Sequence, residues 1–91
     1  MMLEIVISKR FRKDLNLAER QNRNLALLNE VVAKLANEKR LDAKHRDHAL
    51  SGFWRGYREC HIQPDRLLVY RIKDGVLSLI TMGTHSVLFG K

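Results

Sequence analysis

Residues 56–84 read GYRECHIQPDRLLVYRIKDGVLSLITMGT, three apolar-rich runs separated by two short polar turns. The first, GYRECHI, alternates; the second, RLLVYRI, is aliphatic and β-branched; the third, VLSLITMGT, follows at once. Asp74-Gly75 between the last two is a strong hairpin signal, because a two-residue type I′ turn needs positive φ at both positions. Three consecutive strands in an antiparallel meander follow. Period two puts Tyr57, Glu59 and His61 on one face of the first of these strands and Arg58, Cys60 and Ile62 on the other. Cys60 is therefore expected to be a small buried hydrophobe and not a nucleophile.

Upstream, Leu3, Ile5 and Ile7 alternate with Glu4 and Val6, which predicts a further strand at the start of the chain. Ser8 is placed to cap a helix over KRFRKDLNLAER, with Phe11, Leu15 and Ala18 on one side and Lys9, Arg12, Lys13 and Arg20 on the other. After the polar break QNRN, a second helix carries Leu25, Leu28, Val32 and Leu35, joined by Leu27 and Val31, as core. NEKRLDAKHRD reads as a connecting loop, with His45 on the surface, and Phe53 and Trp54 read as packing residues. The order is strand, two helices, meander: an α+β domain, residues 1–91, with both helices on one face of the sheet.

Ninety-one residues suffice for one domain, and 17 Lys+Arg against 10 Asp+Glu give a net charge of +7. That charge favours polyanionic partners such as nucleic acid, or an acidic protein. With one cysteine, no intramolecular disulfide and no cysteine-based zinc site can form, in keeping with a reducing cytoplasm. MMLEIVISKRF is too short an apolar run for a signal peptide, and nothing approaches the length of a membrane span, so no membrane partner is expected.

The histidines gather late in the chain. His48 precedes the second strand, His61 lies in it, Asp65 sits in the QPDR turn and His85 follows the last strand. Antiparallel strands can bring such segments together. A His/His/Asp set in a basic groove suits metal-free RNA cleavage, which needs one group to take the 2′-OH proton and another to protonate the departing 5′-oxygen. Imidazoles titrate near working pH, and Arg55, Arg58 and Arg66 are nearby cations for the phosphate charge. Taken singly, each histidine reads as a surface or hydrogen-bonding residue ahead of a catalyst, and Phe89 as a core anchor ahead of a base-stacking platform. Zinc held by His45, His48, His61, His85 and Asp65 is a further alternative, but His45-x-x-His48 lacks a matching second pair.

DHALSGFWRGYRECHIQPD and GTHSVLFG resemble the YafQ branch of the RelE/ParE toxin superfamily, toxins of type II toxin–antitoxin pairs. The resemblance spans essentially the whole chain: the KDL segment of the first helix, D-H-x-L-x-G-x-W-x-G-Y-R, H-x-x-P-D, the L-x-Y strand and the closing G-T-H-x-x-L-F-G. It implies a microbial-RNase-like fold of one strand, two helices and a curved antiparallel sheet. It also implies a cytoplasmic, ribosome-dependent endoribonuclease that cuts mRNA in the decoding site, inhibits translation and needs no metal or cofactor. The partners would be the 70S ribosome, mRNA and a cognate antitoxin, acidic in the segment that covers the toxin.

Carried over position by position, the resemblance makes His48, His61, Asp65 and His85 the catalytic set and Phe89 a substrate-positioning residue. His85 is expected as general acid, Asp65 or His61 as the group nearest the 2′-OH, and His48 as an orienting group. Arg58 is expected to bind phosphate on its charge. Arg66 stands where this branch can carry Trp after the Pro-Asp pair; it can stack on a base or bind phosphate, with an altered codon preference. Two other readings stay open: a ParE-like gyrase inhibitor without RNase activity, which would not need the histidines, and an RNA- or ribosome-binding module with an inactive site.

Overall fold

Asp74 and Gly75 turn the chain at φ 53° and 78°, and Lys73 pairs with Val76 across them, the hairpin that Asp-Gly favours. The computed structural model describes residues 2–90. In order these form β1 (Glu4–Ile7), α1 (Lys9–Arg20), α2 (Ala26–Ala36), a 3₁₀ turn (Ala43–His45) and β2 (His48–Ala49). A second 3₁₀ turn (Gly52–Trp54), β3 (Arg58–Gln63), β4 (Arg66–Lys73), β5 (Val76–Gly83) and α3 (His85–Phe89) complete them. Ser8 caps α1: its Oγ accepts from the Phe11 amide at 2.9 Å and donates to the Ile80 carbonyl at 2.6 Å, tying helix to sheet. Among the described residues no helix is long and apolar enough to cross a membrane.

The sheet order is β1-β5-β4-β3-β2. The meander is antiparallel, but β1 pairs with β5 in parallel, which departs from a wholly antiparallel sheet. The helices and the rest of the meander lie between these two strands in the chain, so no tight turn constrains their direction. The expected two-helix layer is present: Phe11, Ala18, Leu28, Val31 and Leu35 pack on Cys60, Leu68, Tyr70, Leu77 and Leu79. Leu27, read as core, is instead exposed.

The other face of the sheet is not bare. Leu67, Val69 and Leu88 form a second cluster, flanked by Leu50, Trp54, Tyr57, Ile80 and Phe89, so α3 and the second 3₁₀ turn cover part of it. Trp54 packs there as expected, whereas Phe53 is 94% exposed, contrary to its reading as a packing residue. The chain segment 37–47 is largely irregular, yet Leu41 and His45 within it are buried. His45 is thus not a surface residue; the groups it meets are described below.

Candidate active site

Direct pairing of Glu59 with Val69 and of His61 with Leu67 puts both titratable side chains on the sheet face that α3 shares. Glu59 is the notable member, with a side chain only 6% exposed. A buried carboxylate is costly unless a partner offsets its charge. Two imidazoles face it: His48 Nε2 lies 3.5 Å from Oε1, and His61 Nε2 lies 4.0 Å from the same oxygen. His48 reaches it because β2 pairs His48 directly with Glu59. The other nitrogen of His48, Nδ1, is 2.7 Å from the Arg46 carbonyl oxygen, which can only accept, so Nδ1 carries a proton and Nε2, turned to the carboxylate, donates to it only when the ring is doubly protonated.

The position of β2 is set from the opposite face. Tyr70 Oη donates to Asp47 Oδ1 at 2.5 Å, and Arg58 Nε lies 3.3 Å from the same oxygen, anchoring the residue immediately before His48. The hydrogen bond with Tyr70, opposed by burial and helped by Asp47, raises the Arg58 guanidinium above its ordinary value. Burial first, and the Asp47 bond second, raise the Tyr70 hydroxyl. Arg58 is therefore committed to a structural triad on the helix side of β3, and the structure does not bring it to the histidines.

His85 is the first residue of α3, whose N-cap Thr84 accepts from the Val87 amide at 3.2 Å. The His85 ring lies 5.0 Å from that of Phe89, and Phe89 stands edge-on to Trp54 at 6.2 Å. The series continues through Tyr57 to the Arg71 guanidinium, 5.5 Å above the Tyr57 ring. His85 and Phe89 thus stand on the face of Glu59 and His61, while His85 itself is exposed. Asp65 is exposed in the two-residue turn that joins Gln63 to Arg66. Arg66 turns toward the helix layer, where it lines a cavity of about 130 Å³ with Arg23, Leu28 and Met82. Burial, and then the like charge of Arg23, lower its guanidinium from the ordinary value.

Three residues outside the sequence-based candidates take part in this arrangement, Glu59, Asp47 and Arg71, together with His45, which the sequence offered only as a zinc ligand or a surface residue. Alternation along β3 already gave Glu59 the face of His61, though not its depth. Arg71 shares that face with Leu67 and Val69, and its Nε is buried without a hydrogen-bond partner. His45 Nδ1 lies 2.6 Å from the carbonyl oxygen of His61. Among the described residues no three His, Cys, Asp or Glu side chains are grouped to hold a metal ion. The Nδ1 atoms of His45 and His48 are committed to carbonyl oxygens, and the zinc set drawn from the sequence does not come together.

The family model for the bacterial toxin of type II toxin–antitoxin system, YafQ, matches residues 3–90. The mRNA interferase toxin YafQ of Escherichia coli K12 is 36% identical over 88 residues, 96% of each chain. The crystal structure of the E. coli DinJ–YafQ toxin–antitoxin complex superposes with a TM-score of 0.89 at 35% identity, over 99% of this chain and 100% of that one. A metal-bound toxin from Helicobacter pylori superposes with a TM-score of 0.90 at 47% identity, over 97% and 100%.

Proposed function

Since the chain belongs to the YafQ family of type II toxin–antitoxin toxins, we propose that it is a ribosome-dependent endoribonuclease cutting mRNA in the decoding site. The observation that carries this reading is the buried Glu59 carboxylate facing His48 and His61 on a sheet face shared with His85 and Phe89. Its chemistry needs no metal. His61 takes the proton from the 2′-OH, and the 2′-oxygen attacks the adjacent phosphorus. Glu59 stabilises the imidazolium formed at His61, as a carboxylate does for a histidine base. The bond to the 5′-oxygen breaks, and His85, exposed at the start of α3, donates the proton that this oxygen needs. The products are a 2′,3′-cyclic phosphate, or the 3′-phosphate it opens to, and a 5′-OH.

His48, held by the Arg46 carbonyl with Nε2 toward Glu59, orients the reacting groups and pairs with the Glu59 charge when its ring is doubly protonated. Asp65 at the turn and Phe89 beside His85 position the substrate; Arg66, at the rim with Arg23, takes a flanking phosphate. The cation on the histidine face itself is Arg71, in place of Arg58. The basic surface, with a net charge of +7, suits both ribosomal RNA and an acidic antitoxin segment. A relative is known in complex with an antitoxin, and a cognate antitoxin is the regulatory partner proposed for this chain in the cytoplasm.

The test is primer extension on a defined mRNA in a purified translation system, comparing the native protein with His61→Ala and His85→Ala. Cuts that require an occupied ribosome and disappear in both variants support the reading. Uncut mRNA together with inhibited DNA gyrase would replace it with the gyrase-directed alternative, and binding to ribosomes without any cut would replace it with the inactive binding module.

A further inference from the structure

β2 is only two residues long, so its pairing with β3 stops at Glu59 and leaves the outer edge of β3 beyond it without a strand. A side chain covers that edge instead: His45 donates from Nδ1 to the His61 carbonyl at 2.6 Å. The ring is only 7% exposed, and with Nδ1–H committed to a carbonyl, Nε2 is left as its acceptor. The same ring lines a cavity of about 310 Å³ that opens beside His61. Leu27, Ile62 and Pro64 supply apolar walls; Lys44 and Gln63 supply a cation and an amide. An adjoining cavity of about 220 Å³ shares Lys44, His61 and Pro64 and adds Arg46. No acidic side chain lines either one.

Leu27 is one of several large apolar side chains left outside the core, and the one that lines this cavity. It belongs to the apolar stripe of α2 yet is exposed, at the lip of this cavity. Apolar walls with a few polar groups at the edge, in a volume at the lower end of the ~300–1,000 Å³ typical of small-ligand sites, suit a flat heteroaromatic ring. Cations at the mouth and direct continuity with His61 suit the phosphates on either side of it.

We propose that this groove is a nucleobase subsite, seating a base next to the cleaved phosphodiester, with the His45 ring and the Gln63 amide reading its edge and Lys44 and Arg46 holding its phosphates. The proposal deepens the RNA-cleavage reading and rests on it. It makes the groove a determinant of which codons are cut.

Two experiments separate its failure from that of the parent reading. Adenosine, cytidine, guanosine and uridine 3′-monophosphates are titrated into full-length protein labelled at Leu and Ile methyls and His rings. The expected result is saturable shifts at Leu27, Ile62 and His45 with at least one nucleotide and none there with inorganic phosphate. Equal shifts with inorganic phosphate or with a short acidic peptide, or no shift with any nucleotide, overturn the subsite. Second, cut sites are sequenced for the native protein, Leu27→Asp and Gln63→Ala, with heat unfolding as the check on folding. The relative use of at least one base at one position is expected to change about tenfold, the scale on which a pocket contact discriminates. An unchanged cut-site distribution in both folded variants overturns it. A native protein that cuts no RNA removes the cleavage reading, while the nucleotide titration still decides whether the groove binds a base.

Discussion

The carboxylate of Glu59 lies 3.5 Å from Nε2 of His48 on one side and 4.0 Å from Nε2 of His61 on the other. A buried carboxylate needs a donor or a cation against it, and these two rings, when protonated at Nε2, supply it. Glu59→Gln keeps the shape and removes the charge. Single-turnover cleavage on programmed ribosomes is expected to slow about 10²-fold or more, the range for loss of a proton-transfer partner, with the circular dichroism spectrum unchanged. A rate within threefold of native would show that Glu59 is only a structural carboxylate.

Asp47 accepts from Tyr70 and faces Arg58, and it immediately precedes His48. Tyr70→Phe and Asp47→Asn are each expected to lose about 1–3 kcal/mol in urea unfolding. The two changes should be strongly non-additive in a double-mutant cycle, since both break one contact. Additive losses would mean that the contact does not hold β2 in place.

Asp14, within the KDL segment, accepts from Thr81 Oγ1 at 2.6 Å and from the Met82 amide at 3.1 Å. Asp14→Ala leaves both donors without that partner, and thermal unfolding is expected to show a loss of about 1.5–3 kcal/mol. An unchanged midpoint would contradict a structural role for this segment.

Burial, reinforced by the Asp47 and Glu59 charges, pushes the Cys60 thiol up to about 12 from an ordinary 9.0. A disulfide reagent at pH 8 is therefore expected to leave the native protein unlabelled and to label it fully in guanidinium. The neutral buried thiol contributes stability that is intact below pH 9.0 and is lost as pH rises toward about 12, so alkaline unfolding should set in across that window. Rapid labelling of the native state would contradict the burial of Cys60.

The fold was legible where its signals are local. Asp74-Gly75 specifies its own turn, Ser8 caps its own helix, and period two assigns the faces of β3. Alternation also put Arg58 opposite His61; nearness in sequence and charge made it a candidate cation all the same. What stayed hidden depends on contacts between distant residues. His45 is buried because β2 ends after two residues and leaves an edge carbonyl uncovered, and β2 is anchored through Asp47 to Tyr70, 23 positions away. The exposure of Phe53 runs against its residue type: the 3₁₀ turn that begins at Gly52, at φ 65°, leaves it outside the cluster that holds Trp54. The histidines and Phe89 were singled out as candidates by their motifs, whereas the depth of Glu59 and the stacking of Arg71 on Tyr57 appear only in three dimensions.

Replacing the bridging 5′-oxygen at the cut site with sulfur tests the proposed division of labour between His61 and His85 most directly. A thiolate leaves without protonation, so the group that protonates the leaving atom becomes dispensable. With this mRNA on the ribosome, His85→Ala is expected to cut at a rate within about tenfold of the native protein, while His61→Ala stays about 10²-fold or more slower. Rescue of His61→Ala in place of His85→Ala, or of neither, would contradict the account.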